Sequence, residues 1–187
     1  MFKKLTHKIE QRLAAAPHVV VGISGFGGAG KTTLANQLRD YFGIADAQVV
    51  RLDNIFAEDH ANKPIFEDYD WPVIIGLLEN IKKSEKLTYK GRGFYGEQIN
   101  FNEQLPKVVI VEGVRLFKPD VMPYFDVTVW VDCPPEIAAQ RGRERDRTNG
   151  ASEAHLRRWQ HEWLPKDLDY FDRYEPKKFV DFTYRTQ

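Results

Sequence analysis

The sequence predicts an α/β fold in which a parallel sheet is covered by helices on both faces. Three observations carry that expectation. Apolar, largely β-branched runs recur at His18–Ile23, Gln48–Leu52, Lys107–Val111, Asp126–Val131 and Phe179–Tyr184. Stretches with helical spacing or helix-end residues separate them, and strands alternating with helices build parallel sheets buried on both faces. Between the first run and the helix after it, Gly25-Phe26-Gly27-Gly28-Ala29-Gly30-Lys31-Thr32 spells G-x-x-x-x-G-K-T.

Strand, glycine loop and helix together give that spacing a mechanism. The glycines let backbone N–H groups curl around phosphate oxygens, and the helix N-terminus adds a favourable dipole. Lys31 would reach the β- and γ-phosphates, and the Thr32 hydroxyl would ligate Mg²⁺. The expected contacts to a nucleoside triphosphate are Gly25, Gly27, Gly28, Ala29, Gly30, Lys31, Thr32 and Thr33, with Mg²⁺ beside it. The fold expected is a P-loop NTPase three-layer sandwich: a five-stranded parallel sheet with a small lid and flap.

The elements follow in order. Leu5, Ile9 and Leu13 recur every fourth residue, which predicts an amphipathic helix within 1–16. Charges run throughout that segment, so it lacks the apolar core of a secretory signal. Thr33–Arg39 reads as the helix after the loop, with Gly43 just past its end. The second strand closes at Asp53. Asp70 as cap and Pro72 in the first turn start a helix that runs to about Lys83. Residues 84–104, with Gly91, Gly93 and Gly96 among aromatics, form a substrate flap, either a β-hairpin or irregular. The third strand ends in Glu112-Gly113. Pro134-Pro135 opens a helix that enters an arginine-rich lid at 141–150. Ser152 caps the next helix, which carries Leu156, Trp159 and Trp163 until Pro165 breaks or kinks it.

Bulk properties narrow the function. One domain of 187 residues is long enough for a sizeable core. Lys+Arg and Asp+Glu both number 27, so composition gives no basic face for nucleic acid. Cys133 is the single cysteine, so no internal disulfide can form, which suits a reducing, cytoplasmic setting. No stretch approaches the ~20 apolar residues of a membrane span. The five histidines lack zinc-ligand spacing. The expected partner is a small-molecule substrate, with neither nucleic acid nor membrane, and homo-oligomerisation stays open.

Phosphoryl transfer needs a phosphate cradle, a metal, a group orienting the nucleophile, and cations for the migrating charge. Asp53, at a strand end, would take a proton from a substrate hydroxyl or else cap the following turn. Glu112, after four apolar β-branched residues, would act on Mg²⁺ directly or through water, or else stay solvated. Arg141, Arg143, Arg145 and Arg147 alternate, so all four cannot point at one phosphate; Arg141 and Arg145, four apart, share a face and would meet a γ-phosphate, or else the helix is solvated and paired with Glu144 and Asp146. Phe66-Glu67-Asp68-Tyr69-Asp70-Trp71 offers carboxylates for sugar hydroxyls and aromatics for stacking, or simply a cap and core. Arg92, Phe94 and Tyr95 in the flap would close over a substrate, or form an ordinary loop.

Ile23 to Leu38, Leu52-Asp53-Asn54-Ile55-Phe56, Tyr69-Asp70-Trp71-Pro72, Val109-Ile110-Val111-Glu112-Gly113 and Arg141 to Asp146 together resemble the uridine kinase/phosphoribulokinase family. The resemblance spans roughly Val19 to Tyr184. It implies transfer of the ATP γ-phosphate to a hydroxyl of a small molecule: uridine or cytidine first, otherwise nicotinamide riboside, pantothenate or ribulose phosphate. It implies Asp53 as general base, Thr32 and Glu112 at Mg²⁺, and Asp70 facing the sugar hydroxyls; Phe56, Arg92 and Tyr95 are expected beside them on the substrate side. Arg141 and Arg145 become lid residues. Uridine kinases usually carry tyrosine where this chain has Phe56, and their flap Tyr-Asp has no clear counterpart here. The alternative is a P-loop ATPase or switch acting on a protein partner. Against it, the guanine-binding N-K-x-D is missing, and Val111-Glu112-Gly113 stands where an ABC or AAA module normally ends in Asp-Glu.

Overall fold

The computed structural model describes every residue except 46, 47, 61, 62, 65, 66, 82 and 187. Helix α1 (Phe2–Leu13) leads into strand β1 (Val19–Gly25), the glycine loop and α2 (Lys31–Phe42). A short β2 (Val50–Arg51) follows, then α3 (Trp71–Ile81), β3 (Lys86–Arg92), β4 (Gln98–Gln104), β5 (Val108–Glu112) and β6 (Val127–Asp132). The chain closes with α4 (Pro135–Thr148), α5 (Glu153–Arg158), a π-helical turn (Trp159–Trp163), α6 (Leu164–Tyr174) and β7 (Phe182–Arg185).

Five strands form one parallel sheet in the order β2-β5-β1-β6-β7. Every residue of β1 and β5 is buried. Successive side chains of a strand point to opposite faces, so both faces of the sheet are covered. The register places Ile23 and Arg51 on either side of Glu112. Strands β1, β2 and β5 therefore deliver their carboxyl ends to one spot, which is where open α/β sheets bind ligands.

Glycine interrupts the apolar run of β1 at Gly22 for a steric reason. A Cβ there would lie 2.8 Å from the Phe117 ring and 2.9 Å from Phe125. Helix ends follow their sequence signals. Gly43 ends α2 in the left-handed region, and Ser152 Oγ accepts from His155 N at 3.2 Å to cap α5.

Three expectations shift. The second strand is shorter than 48–52, because a 3₁₀ turn at Leu52–Asn54 lifts Asp53 out of the sheet. The last strand starts at Phe182 rather than Phe179, after a turn at Pro176–Lys178. Pro165 does not break its helix: it sits in the first turn of α6, where the π-helical turn re-phases the chain and no N–H is missed. The flap is a regular antiparallel hairpin, with Leu87 and Tyr89 buried along β3. No helix among the described residues is long and apolar enough to cross a membrane.

Gly22→Val would overpack this site, and we expect urea denaturation to show a loss of about 1–3 kcal/mol. A change within about 0.5 kcal/mol, the range of a neutral surface substitution, would contradict the packing described here.

Candidate active site

A cleft of about 810 Å³ opens at the carboxyl ends of the strands. Its floor is the glycine loop. Gly28 has φ +81°, and a Cβ there would stand 2.0 Å from the Ala138 carbonyl oxygen, so only glycine allows α4 to come this close. Lys31 is only 7% exposed, and its Nζ donates to the Phe26 carbonyl at 3.0 Å, bracing the loop from beneath. Burial lowers its pKa, and the carboxylates of Glu112, Asp167 and Asp53 oppose that shift.

Glu112 ends β5 and is buried. Its Oε1 accepts from Thr32 Oγ1 at 3.0 Å and lies 3.9 Å from Arg51 Nε. Burial raises its pKa, while Lys31, the Thr32 hydroxyl and Arg51 pull the other way. No cluster of three or more His, Cys, Asp or Glu side chains suited to a metal occurs among the described residues. A hydroxyl beside one carboxylate nevertheless fits Mg²⁺, which takes one or two carboxylates and completes its shell with waters and substrate phosphates. Asp53 lines the same cleft, exposed in its 3₁₀ turn.

The expected loop residues Gly27, Gly28, Gly30, Lys31, Thr32 and Thr33 line the cleft, and so do Phe56 and Tyr95. Gly25 and Ala29 are buried in the loop behind it. Two residues expected on the substrate side are placed elsewhere. Asp70 Oδ1 accepts from Val73 N at 3.2 Å and caps α3, so its carboxylate is spent on the helix start. Arg92 sits in the hairpin, 3.8 Å from Glu58. Neither lines the cleft, whereas Asp68 and Tyr69 do. Phe66 lies outside the described residues.

Arg141 and Arg145 both line the cleft from α4. Arg145 donates from Nε and Nη2 to Asp146 Oδ1, at 2.9 and 2.8 Å. Asp146 also accepts from Trp159 Nε1 at 2.8 Å and lies 3.0 Å from His155 Nε2. Burial opposes its charge, but the hydrogen bonds from His155, Arg145 and Trp159 outweigh burial and hold its carboxyl below its ordinary pKa. Trp159 in turn covers the loop: a Cβ on Gly142 would lie 2.3 Å from its ring, and one on Gly27 2.9 Å.

The opposite wall joins Phe56, Tyr69 and Phe94, which the sequence offered for the substrate side, to His60, Arg158 and Trp163, which sequence reasoning missed. Phe56 stacks on His60 at 4.4 Å and on Tyr69 at 4.9 Å. Phe94, from the hairpin, meets His60 and Trp163, and the Arg158 guanidinium lies over both Phe94 and Trp163. Missed as well is Arg115, which is 6% exposed and bonded to Asp68 and Asp167, both also buried. Its positive φ of 53° was invisible in the sequence. Sequence reasoning placed Trp159 and Trp163 on a helix and gave them no role in the cleft, which both line.

A family model described as an AAA domain matches residues 21–158. A uridine kinase of Geobacillus kaustophilus is 29% identical over 142 residues, covering 68% of this chain and 67% of that protein. A uridine kinase of Lactobacillus helveticus is 25% identical with the same coverage. Among solved structures, a candidate fructose transport system kinase from Silicibacter superposes with a TM-score of 0.77 at 21% identity, over 98% of each chain. A candidate uridine kinase from Bacillus stearothermophilus gives 0.62 at 22% identity, over 97% of this chain and 99% of that one. These two likenesses establish the P-loop α/β fold. The absent Asp-Glu pair therefore does not separate this chain from AAA domains.

Asp146→Ala would strand three donors around the cleft. We expect a loss of about 1–3 kcal/mol in chemical denaturation and a red shift of tryptophan emission as Trp159 loosens. An unchanged spectrum with unchanged stability would show that Asp146 does not hold this wall.

Proposed function

The chain belongs to the AAA domain family and is a uridine-kinase-like P-loop phosphotransferase, and on that premise we propose that it transfers the γ-phosphate of ATP to a hydroxyl of a nucleoside. The observation that carries the proposal is one cleft with two chemically distinct ends. One end is a phosphate cradle with Lys31, Thr32 and Glu112. The other is an aromatic wall of Phe56, His60, Tyr69 and Phe94, packed on one another and offering an apolar surface for a planar base to lie against. Asp53 lies in the same cleft.

Each residue has a role. The glycine-loop N–H groups and Lys31 hold the donor phosphates. Thr32 and Glu112 would hold Mg²⁺, which would supply positive charge to the phosphates. Asp53 accepts the proton of the attacking hydroxyl, as a positioned carboxylate can. Arg141 and Arg145 face the migrating charge from α4, where a guanidinium fork suits phosphate. Uridine and cytidine are the first acceptors to test because the curated relatives are uridine kinases. Nicotinamide riboside and pantothenate come next.

A panel of these acceptors with γ-labelled ATP tests the proposal. Label in a nucleoside monophosphate is the expected result. Release of phosphate with no labelled acceptor would favour an ATPase acting on a protein partner. Asp53→Asn should keep ATP affinity while turnover falls at least about a hundredfold, within the usual contribution of a general base. Near-normal turnover in that variant would remove Asp53 from the role. Lys31→Ala should abolish transfer through lost β/γ-phosphate stabilisation, and an active variant would mean that the loop is not the donor site.

A further inference from the structure

Arg115 is shared between two buried carboxylates. Its Nη1 donates to Asp167 Oδ1 at 2.7 Å, and its Nη2 donates to Asp68 Oδ2. All three residues are at most 6% exposed, and all three line the cleft. A guanidinium can give one carboxylate two parallel bonds through its fork. Here it gives one bond to each partner. The leftovers match: Arg115 Nε and Asp68 Oδ1 are both buried with no hydrogen-bond partner. Unpaired buried polar atoms of this kind are costly, and a two-bond fork from Arg115 to Asp68 would satisfy both.

The other end of the network reaches the donor site. Asp167 Oδ2 accepts from the backbone N–H of Gly27 at 2.8 Å. Gly27 lies within the glycine loop and lines the cleft, and the N–H groups of such a loop are its phosphate ligands. Gly27 has one hydrogen to give. A phosphate oxygen that takes it must dislodge Asp167, and the two anions repel each other as well.

We propose that Arg115 is a two-position latch between the donor and acceptor ends of the cleft. It is divided between Asp68 and Asp167 here, and it closes its fork on Asp68 when a triphosphate takes Gly27 N–H from Asp167. This rests on reading the glycine loop as the triphosphate site. Asp167 then sets the affinity for the donor by competing with it. The rearrangement of Asp68 carries news of donor binding to the wall that Phe56, His60 and Tyr69 form. Arg115 and Asp167 are positioning residues in this scheme, since neither needs to touch the reacting atoms.

Calorimetric titration of a non-hydrolysable ATP analogue with Mg²⁺ tests the latch, with AMP as the control that lacks the β- and γ-phosphates. Asp167→Asn keeps the shape and removes the competing charge. The analogue should bind this variant about tenfold more tightly than the wild type, about 1.4 kcal/mol, while AMP gains nothing. Equal or weaker binding of the analogue, or an equal gain for AMP, overturns the latch. Should the wild type fail to bind the analogue at all, the donor-site reading falls and the latch with it. Carboxyl ¹³C NMR of the wild type decides the matter if the variant does not fold. Adding the analogue should move the Asp167 and Asp68 side-chain resonances together, and an unmoved pair overturns the proposal.

Discussion

One buried ammonium organises the functional end of this protein. Lys31 sits beneath the glycine loop, almost sealed from solvent, where a bare charge would be expelled or neutralised. It is kept by geometry: a carbonyl of its own loop accepts from it, and Glu112, Asp167 and Asp53 surround it with negative charge. Those carboxylates come from a strand end, a C-terminal helix and a 3₁₀ turn. They can converge only because the sheet order sets β5 between β1 and β2. Charge balance around Lys31 is therefore a demand on the topology as well as on the local sequence.

The same demand explains why the site is built of shared groups. Glu112 serves both Thr32 and Lys31, and Asp167 serves both Arg115 and the loop. A ligand with several negative charges would enter a place where opposite charges are already in near balance. Its binding must rearrange partners rather than simply add a contact. That favours a protein in which donor binding is felt elsewhere in the cleft.

The donor half was legible in the sequence because its chemistry is local. Eight consecutive residues define the loop, and Glu112 is marked by the apolar run before it. The opposite wall was legible only in part: Phe56, Tyr69 and Phe94 were candidates in the sequence, but His60 and Arg158 join them only through tertiary packing. Asp68 and Asp70 are two apart and look alike in sequence, yet one faces the cleft and the other caps α3. Arg115 gives no sign of its burial between carboxylates from residues 68 and 167. Periodicity placed Trp159 and Trp163 on a helix, but only the re-phasing by the π-helical turn sets them where they stand. Strand lengths erred at the sheet edges, where β2 and β7 have one neighbour each and little packing to hold them extended.

The central claim is that charge balance and positioning, with no covalent enzyme intermediate, carry a phosphoryl group directly from donor to acceptor across one cleft. The stereochemical course at phosphorus tests it most directly. With an ATP analogue made chiral at the γ-phosphorus and an acceptor that takes the label, a single in-line transfer predicts inversion of configuration. Retention would require two successive transfers through a group on the protein, and would contradict the account.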